Sequence, residues 1–339
     1  MKRHRLGLIV FAFVFISSAG LPALDVSVTT SSGTLFGAAH EFVYDQNVST
    51  NYKVSELDWM FQPIFYYGTA VHVGLPLGLY VQLSARSGVN ALSGPMTDSD
   101  FLNGDGVKTL FSQSDNYTEQ ALLTNLAFGA EIPVSAEFVL SFSASLDYSR
   151  FKWSARDGYL QYPPSTGHSY YFNSNGTLVY GTEPPWTSNV TKTPLYGTGI
   201  VYEQQFLVPM AGASATYSPG TGLSIGASLS FSPFVFAQTT DNHMFRLINI
   251  YDSFSNGLLL EPGIDVTWQL GRGASLRLSG RYRLISGLVG NSTWQYEGTT
   301  STSPNSQYIA GPGSNSTVTN GGGASFEAVD ASLSFRLSL

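Results

Sequence analysis

The sequence predicts an all-β protein, a single antiparallel transmembrane β-barrel of about ten strands with long extracellular loops. Three observations carry that prediction. The chain opens with an export signal, its apolar residues recur with period two, and tight turns alternate with long polar connections.

The export signal comes first. Lys2, Arg3 and Arg5 precede an unbroken apolar run from Leu6 to Ile16, followed by the small residues Ser17-Ser18-Ala19-Gly20 and Leu21-Pro22-Ala23. A run of that length is too short to span a bilayer and reads as a cleavable secretory signal, with Ala23 as the expected last residue removed. Residues 1–23 are therefore read as the signal peptide and residues 24–339 as one outer-membrane barrel domain. The absence of cysteine excludes a lipid-modified cysteine, a disulfide and a thiolate metal site. Loss of the signal leaves 13 basic residues against 23 acidic ones, a net charge near −10. Such a chain is a poor partner for nucleic acid and attracts cationic peptides. Charged residues are 12% of the chain and aromatic ones 14%, with 35 glycines, a mix that suits lipid on one side of a wall and water on the other.

Period-two alternation supplies the strands. Phe138, Leu140, Phe142, Ala144, Leu146 and Tyr148 share one face, while Ser141, Ser143, Ser145 and Asp147 share the other. Leu276, Leu278, Gly280, Tyr282 and Leu284 alternate in the same way with Ser275, Arg277, Ser279, Arg281 and Arg283. Successive side chains of a strand point to opposite faces, so each segment is oily on one side and wet on the other. Tight breaks fall at Leu75–Gly78, Pro133–Ala136, Pro219–Gly222 and Gly271–Gly273, and longer polar stretches at 90–118, 157–195, 241–256 and 290–320. Short periplasmic turns and long outer loops characterise bacterial barrels. The final residues, Ala331, Leu333, Phe335, Leu337 and Leu339, keep alternating to the end.

Four stretches carry more than composition. They are Lys53-Val54-Ser55-Glu56-Leu57-Asp58-Trp59, Met96-Thr97-Asp98-Ser99-Asp100-Phe101, Tyr148-Ser149-Arg150-Phe151 with Ala155-Arg156-Asp157-Gly158, and Asp241-Asn242-His243. In this order and spacing they resemble the omptin family of outer-membrane proteases. Phe101 stands where the family's Asp-x-Asp motif continues with tryptophan.

The resemblance implies an aspartic-type endopeptidase without a covalent acyl-enzyme. Metal-free peptide hydrolysis needs an activated water and a proton for the leaving amine. His243 is the expected general base, with Asp241 fixing its tautomer and stabilising the imidazolium. Asp98 and Asp100 complete the set from the opposite rim, where two close carboxylates can hold one proton between them. Residues two apart on an extended strand share a face, so each pair can act together. Plainer readings stand beside these: rim aspartates commonly form turns, and Asp98, Asp100, Asn103 and Asp105 hint at a cation loop. Calcium-loop spacing fails there, because a ligand is needed where Leu102 sits, and no metal is expected.

The parity of one strand poses a problem. Along Leu223, Ile225, Ala227, Leu229 and Phe231 the odd positions face lipid, which would turn Asp241 and His243 outward. A one-residue bulge reverses parity, and Pro233 with Phe234-Val235-Phe236 is where it is expected.

For specificity, the resemblance implies cleavage beside basic residues through acids at the bottom of the pocket. Glu41 matches one, and its plainer reading is a solvated rim charge. Thr239 stands where the second is expected, two residues before Asp241. No cofactor is implied, although lipopolysaccharide or another anionic lipid is a candidate activator. Arg150 and Lys152 hold the lipid-facing parity and are the candidate lipid-binding residues, whose plainer reading is interfacial anchoring. Gln205 occupies the place of the family's second phosphate-binding arginine. The expected partners are cationic peptides or proteins and outer-membrane lipids. The competing function is a passive porin or adhesin on the same scaffold, and an outer-membrane lipase is the third, lacking a marked serine partner for His243.

Overall fold

The computed structural model describes residues 24–45, 52–89, 91–164, 170–172, 178–180, 183–297 and 315–339. The expected signal peptide lies outside the described residues. The strands are β1 (Asp25–Asp45), β2 (Tyr52–Gly74), β3 (Leu79–Gly88), β4 (Ala91–Asp100), β5 (Leu110–Pro133), β6 (Phe138–Gln161), β7 (Tyr170–Phe172) and β8 (Leu178–Tyr180). They continue with β9 (Thr193–Tyr217), β10 (Leu223–Ser232), β11 (Phe236–His243), β12 (Ile248–Phe254), β13 (Leu258–Gly271), β14 (Ala274–Tyr296) and β15 (Asn315–Ser338).

Thirteen of these form one antiparallel sheet, and β7 with β8 forms a separate hairpin. Both β3 and β4 lie between β2 and β5, both β10 and β11 pair with β9, and both β12 and β13 pair with β14. Each of those couples is one stave with a break in it, which makes ten staves among the described residues. The last strand returns to the first, in register from Ser27 opposite Ser338 to Val43 opposite Gly322. Closure removes the sheet edges, so every stave finds backbone partners on both sides, as a bilayer requires.

The alternation read from the sequence sorts side chains as expected. Phe142, Leu146, Phe65, Leu278 and Ile264 project outward, with Ile264 70% exposed, and form the lipid-facing belt. Inward positions carry Asp147 and Ser149 on β6 and Arg283 on β14, all buried. The lumen is filled rather than open. Trp59, Phe61, Phe151, Trp153, Tyr202, Phe206 and Phe326 are each at most 1% exposed. They stack with centroid separations such as 5.3 Å for Trp59 with Tyr202 and 4.8 Å for Phe151 with Phe326. Below this layer Arg283 lies between Asp147 (2.9 Å) and Glu261 (2.5 Å), and Arg86 pairs with Asp330. Buried charges persist only when paired and hydrogen-bonded, and these are.

The strands reach further outward than their polarity suggested. The stretch 241–256 contains the ends of β11 and all of β12, and only residues 244–247 connect them. Likewise β5 begins at Leu110 and β14 runs to Tyr296. Above the lipid belt the outer face of the wall meets water and the inner face mixes polar with apolar groups, so the alternation that marks a strand weakens while its ladder continues; on β12 it persists as buried Ile248, Ile250 and Phe254.

Candidate active site

Two walls of the upper barrel face each other across a groove. On one, Leu57 of β2 is the cross-strand partner of both Glu41 on β1 and Asp98 on β4. Asp98 and Asp100 share the inward face of β4. Ser55 is opposite Asp100 in the ladder, and its hydroxyl donates to Asp98 Oδ1 at 3.2 Å. On the other wall, at the end of β11, His243 Nε2 lies 2.7 Å from Asp241 Oδ2. That contact is an ion-pair distance without hydrogen-bond alignment, since the ring donates to neither Asp241 oxygen. Asp98 and His243 line one cavity of ≈ 210 Å³, together with Ser112, Ser114, Tyr162 and Arg246.

The bulge that brings Asp241 and His243 inward is present where the sequence placed it. Phe231 pairs with Ala211 of β9 and Phe236 with Leu207, so five steps on one stave meet four on its neighbour. Odd residues of β10 such as Leu229 and Phe231 are exposed, whereas Val235, Ala237, Thr239 and Asp241 are buried. Pro233 cannot donate to the ladder and supplies the break.

These groups stand beyond the lipid belt, several residues outward of Phe36 and Phe236, the last exposed apolar positions on β1 and β11. Burial, and then the charge of Asp100, pushes the Asp98 carboxyl up to about 7, against the positive fields of Arg246 and His243. Burial also raises Asp100, opposed by Arg246 and the Ser55 hydroxyl. Near neutral pH the pair therefore holds a proton. Glu41 is raised well above the usual range by burial, then by the charges of Asp241 and Asp252.

Glu41 is 1% exposed and is not a solvated rim charge. Thr239 does not stand alone. Its hydroxyl donates to Asp252 Oδ2 at 3.0 Å, and Asp252 is its cross-strand partner on β12. Asp252 escaped the sequence reading because 241–256 read as a loop. The signal was there, since Ile248, Ile250, Asp252 and Phe254 alternate as one buried face. Tyr162 and Arg246, from the connections above the groove, carried no sequence pattern.

Arg150 and Lys152 lie on the outer face of β6, the parity expected. Arg150 is already forked onto Glu203 of β9, with Nε and Nη2 at 2.9 and 2.8 Å from its two oxygens. Gln205 donates to Glu203 Oε1 at 2.6 Å. Lys152 has no ion-pair partner among the described residues. On the same outer side, His40, Glu56 and Asp58 come within reach of a single metal ion. His40 Nδ1 already contacts Asp58 and Lys53 contacts Glu56, both at 2.6 Å, and none of them lines the groove.

Comparison with known proteins bears on this arrangement. A sequence model of the Omptin family matches residues 22–323. The chain is 25% identical over 254 residues to a plasminogen activator of Yersinia pestis, covering 71% of each. It is 23% identical over 318 residues to the outer membrane protease OmpP of Escherichia coli, covering 92% of this chain and 95% of that one. The crystal structure of the outer membrane protease OmpT of Escherichia coli superposes with a TM-score of 0.78 at 17% identity, covering 95% of this chain and 99% of the other.

Proposed function

Because this chain belongs to the omptin family, we propose that it is an outer-membrane endopeptidase whose groove faces the cell exterior and whose attacking water is held between His243 and Asp98. The observation that carries this reading is the pairing of two acid-base sets on opposite walls of one cavity, above a lumen filled by stacked aromatic rings. His243 takes the water's proton, and Asp241 at 2.7 Å orients the ring and stabilises the imidazolium. Asp98 positions the water. Asp100 shares a proton with it, and a pair that keeps a proton near neutral pH has one to give to the departing amine.

Cleavage at or next to basic residues is the accompanying proposal. Glu41 is buried beside the dyad, its carboxyl raised by burial and hydrogen-bonded to that of Asp241, so a cationic side chain entering the groove meets a set of close carboxyls whose charge it restores. For the lipid, Arg150 and Lys152 offer cationic groups at the outer wall to lipopolysaccharide or another anionic lipid. The phosphate then competes with Glu203 for Arg150, so Lys152 is the more available contact. A filled lumen weighs against the passive porin.

The test is incubation of the refolded barrel with a peptide library, alongside His243→Ala, Asp241→Ala and Asp98→Ala. Each variant is expected to fold, shown by heat-modifiable migration, and to lose peptidase activity by about 10²–10⁴-fold. Cleavage by His243→Ala at the wild-type rate refutes the proposed base.

A further inference from the structure

The acid pocket has a second wall that the sequence motif does not supply. Thr239 occupies the position where a second acid is expected, yet a carboxylate stands beside it. Asp252 is the direct cross-strand partner of Thr239, accepts its hydroxyl at 3.0 Å and is 5% exposed. Its other oxygen, Oδ1, is buried without a hydrogen-bond partner, as is Oε2 of Glu41. Room for this carboxylate comes from β15, where a Cβ added at Gly322 would lie 2.6 Å from Asp252 Cγ. Any other residue at 322 would displace Asp252 from the pocket.

Asp252 and Glu41 each keep one buried oxygen that accepts from no donor, while the Glu41 carboxyl is hydrogen-bonded to Asp241 and stands in the field of Asp252. A cationic side chain from outside satisfies those oxygens. Arginine has five donors in a planar fork and is the most weakly hydrated of the basic groups, whereas lysine is a compact, strongly hydrated point charge. Resting on the reading of Glu41 as a pocket acid, we propose that Asp252 is the second acid of the substrate pocket. It takes over from Thr239 across the strand pair, and with Glu41 it selects arginine over lysine beside the scissile bond. The burial that raises both carboxyls means that the incoming guanidinium also restores their charge.

The test uses peptides that differ only in carrying arginine, lysine or citrulline at the cleavage position, citrulline being arginine's uncharged counterpart. The measured quantity is the ratio of kcat/KM values between them, on the full-length barrel and its Asp252→Asn, Glu41→Gln and Thr239→Asp/Asp252→Thr variants. The wild type is expected to favour arginine over both others. Asp252→Asn is expected to lower the arginine-to-citrulline ratio at least tenfold, and the double swap, which moves the acid back across the strand pair, to recover most of it. If Glu41→Gln collapses the ratio while Asp252→Asn leaves it within twofold, Asp252 is not a pocket acid and the Glu41 reading survives. An equal loss on all three peptides assigns Asp252 a structural role and overturns the proposal. A wild type with no preference for arginine over citrulline removes the Glu41 reading and this one together. Should Asp252→Asn fail to fold, competitive inhibition of the wild type by butylguanidinium, compared in the Asp252→Ser variant, reads the same pocket. Equal inhibition of the two refutes it.

Discussion

Replacing Asp98 by asparagine should stabilise the barrel above neutral pH and abolish its activity. Asp98 is 7% exposed and its carboxyl is pushed from 3.8 up to about 7, by burial and then by the charge of Asp100. In the unfolded chain it titrates at its ordinary value. Between pH about 4 and about 7 the folded state thus binds the proton that the unfolded state has released, and stability falls as pH rises through that window. At about 1.4 kcal/mol per tenfold change in proton affinity, the carboxylate costs the fold on the order of 4 kcal/mol once pH exceeds 7. Asparagine keeps the shape and removes the charge, and it also relieves Asp100. Guanidinium unfolding of the micelle-refolded protein, followed through tryptophan fluorescence at pH 4 and pH 8, measures the effect. Wild type and Asp98→Asn should be nearly equal at pH 4, and at pH 8 the variant should be more stable by about 2–4 kcal/mol with an unchanged denaturant slope. Peptidase activity should drop by about 10²-fold or more at both pH values. Identical pH dependence of stability in the two proteins would refute the assignment of a protonated, strained acid pair.

Three further outcomes follow from the same geometry. Arg246→Gln removes a positive field that lowers both Asp98 and Asp100. The alkaline limb of the pH–rate profile, where the pair loses the proton it donates, should therefore move to higher pH, and an unmoved limb places that arginine outside the mechanism. Combining Asp241→Ala with His243→Ala should cost hardly more activity than the worse single change, because the proposed dyad works as one unit; multiplicative losses in single-turnover assays would argue for separate roles. Arg150→Ala and Lys152→Ala should lower the activity gained on adding lipopolysaccharide while leaving the barrel heat-modifiable, with the larger loss at Lys152 because Glu203 already occupies Arg150. Equal stimulation of both variants and wild type assigns these residues to anchoring alone.

Much of this molecule was readable in one dimension. Period-two alternation is written residue by residue, so the staves of the belt, their inward and outward faces and the pairing of Asp98 with Asp100 and of Asp241 with His243 all follow from local spacing. Even the parity reversal at Pro233–Phe236 was legible, because a ladder that must turn two named residues inward has to gain one residue somewhere, and proline marks the place. The upper walls were not legible. The ends of β5 and β14 carry the same polar residues as a loop, and the short alternation of Ile248, Ile250 and Phe254 on β12 is set in a polar stretch, so it is their hydrogen-bonded neighbours that make them strands. The proposed pocket acids were decided at the next level still. Glu41, Thr239 and Asp252 lie on three separate strands, and which carboxylate meets which depends on how ten staves close into a ring with one particular register. Closure sets distances across the lumen between residues hundreds of positions apart, a quantity that no local pattern encodes.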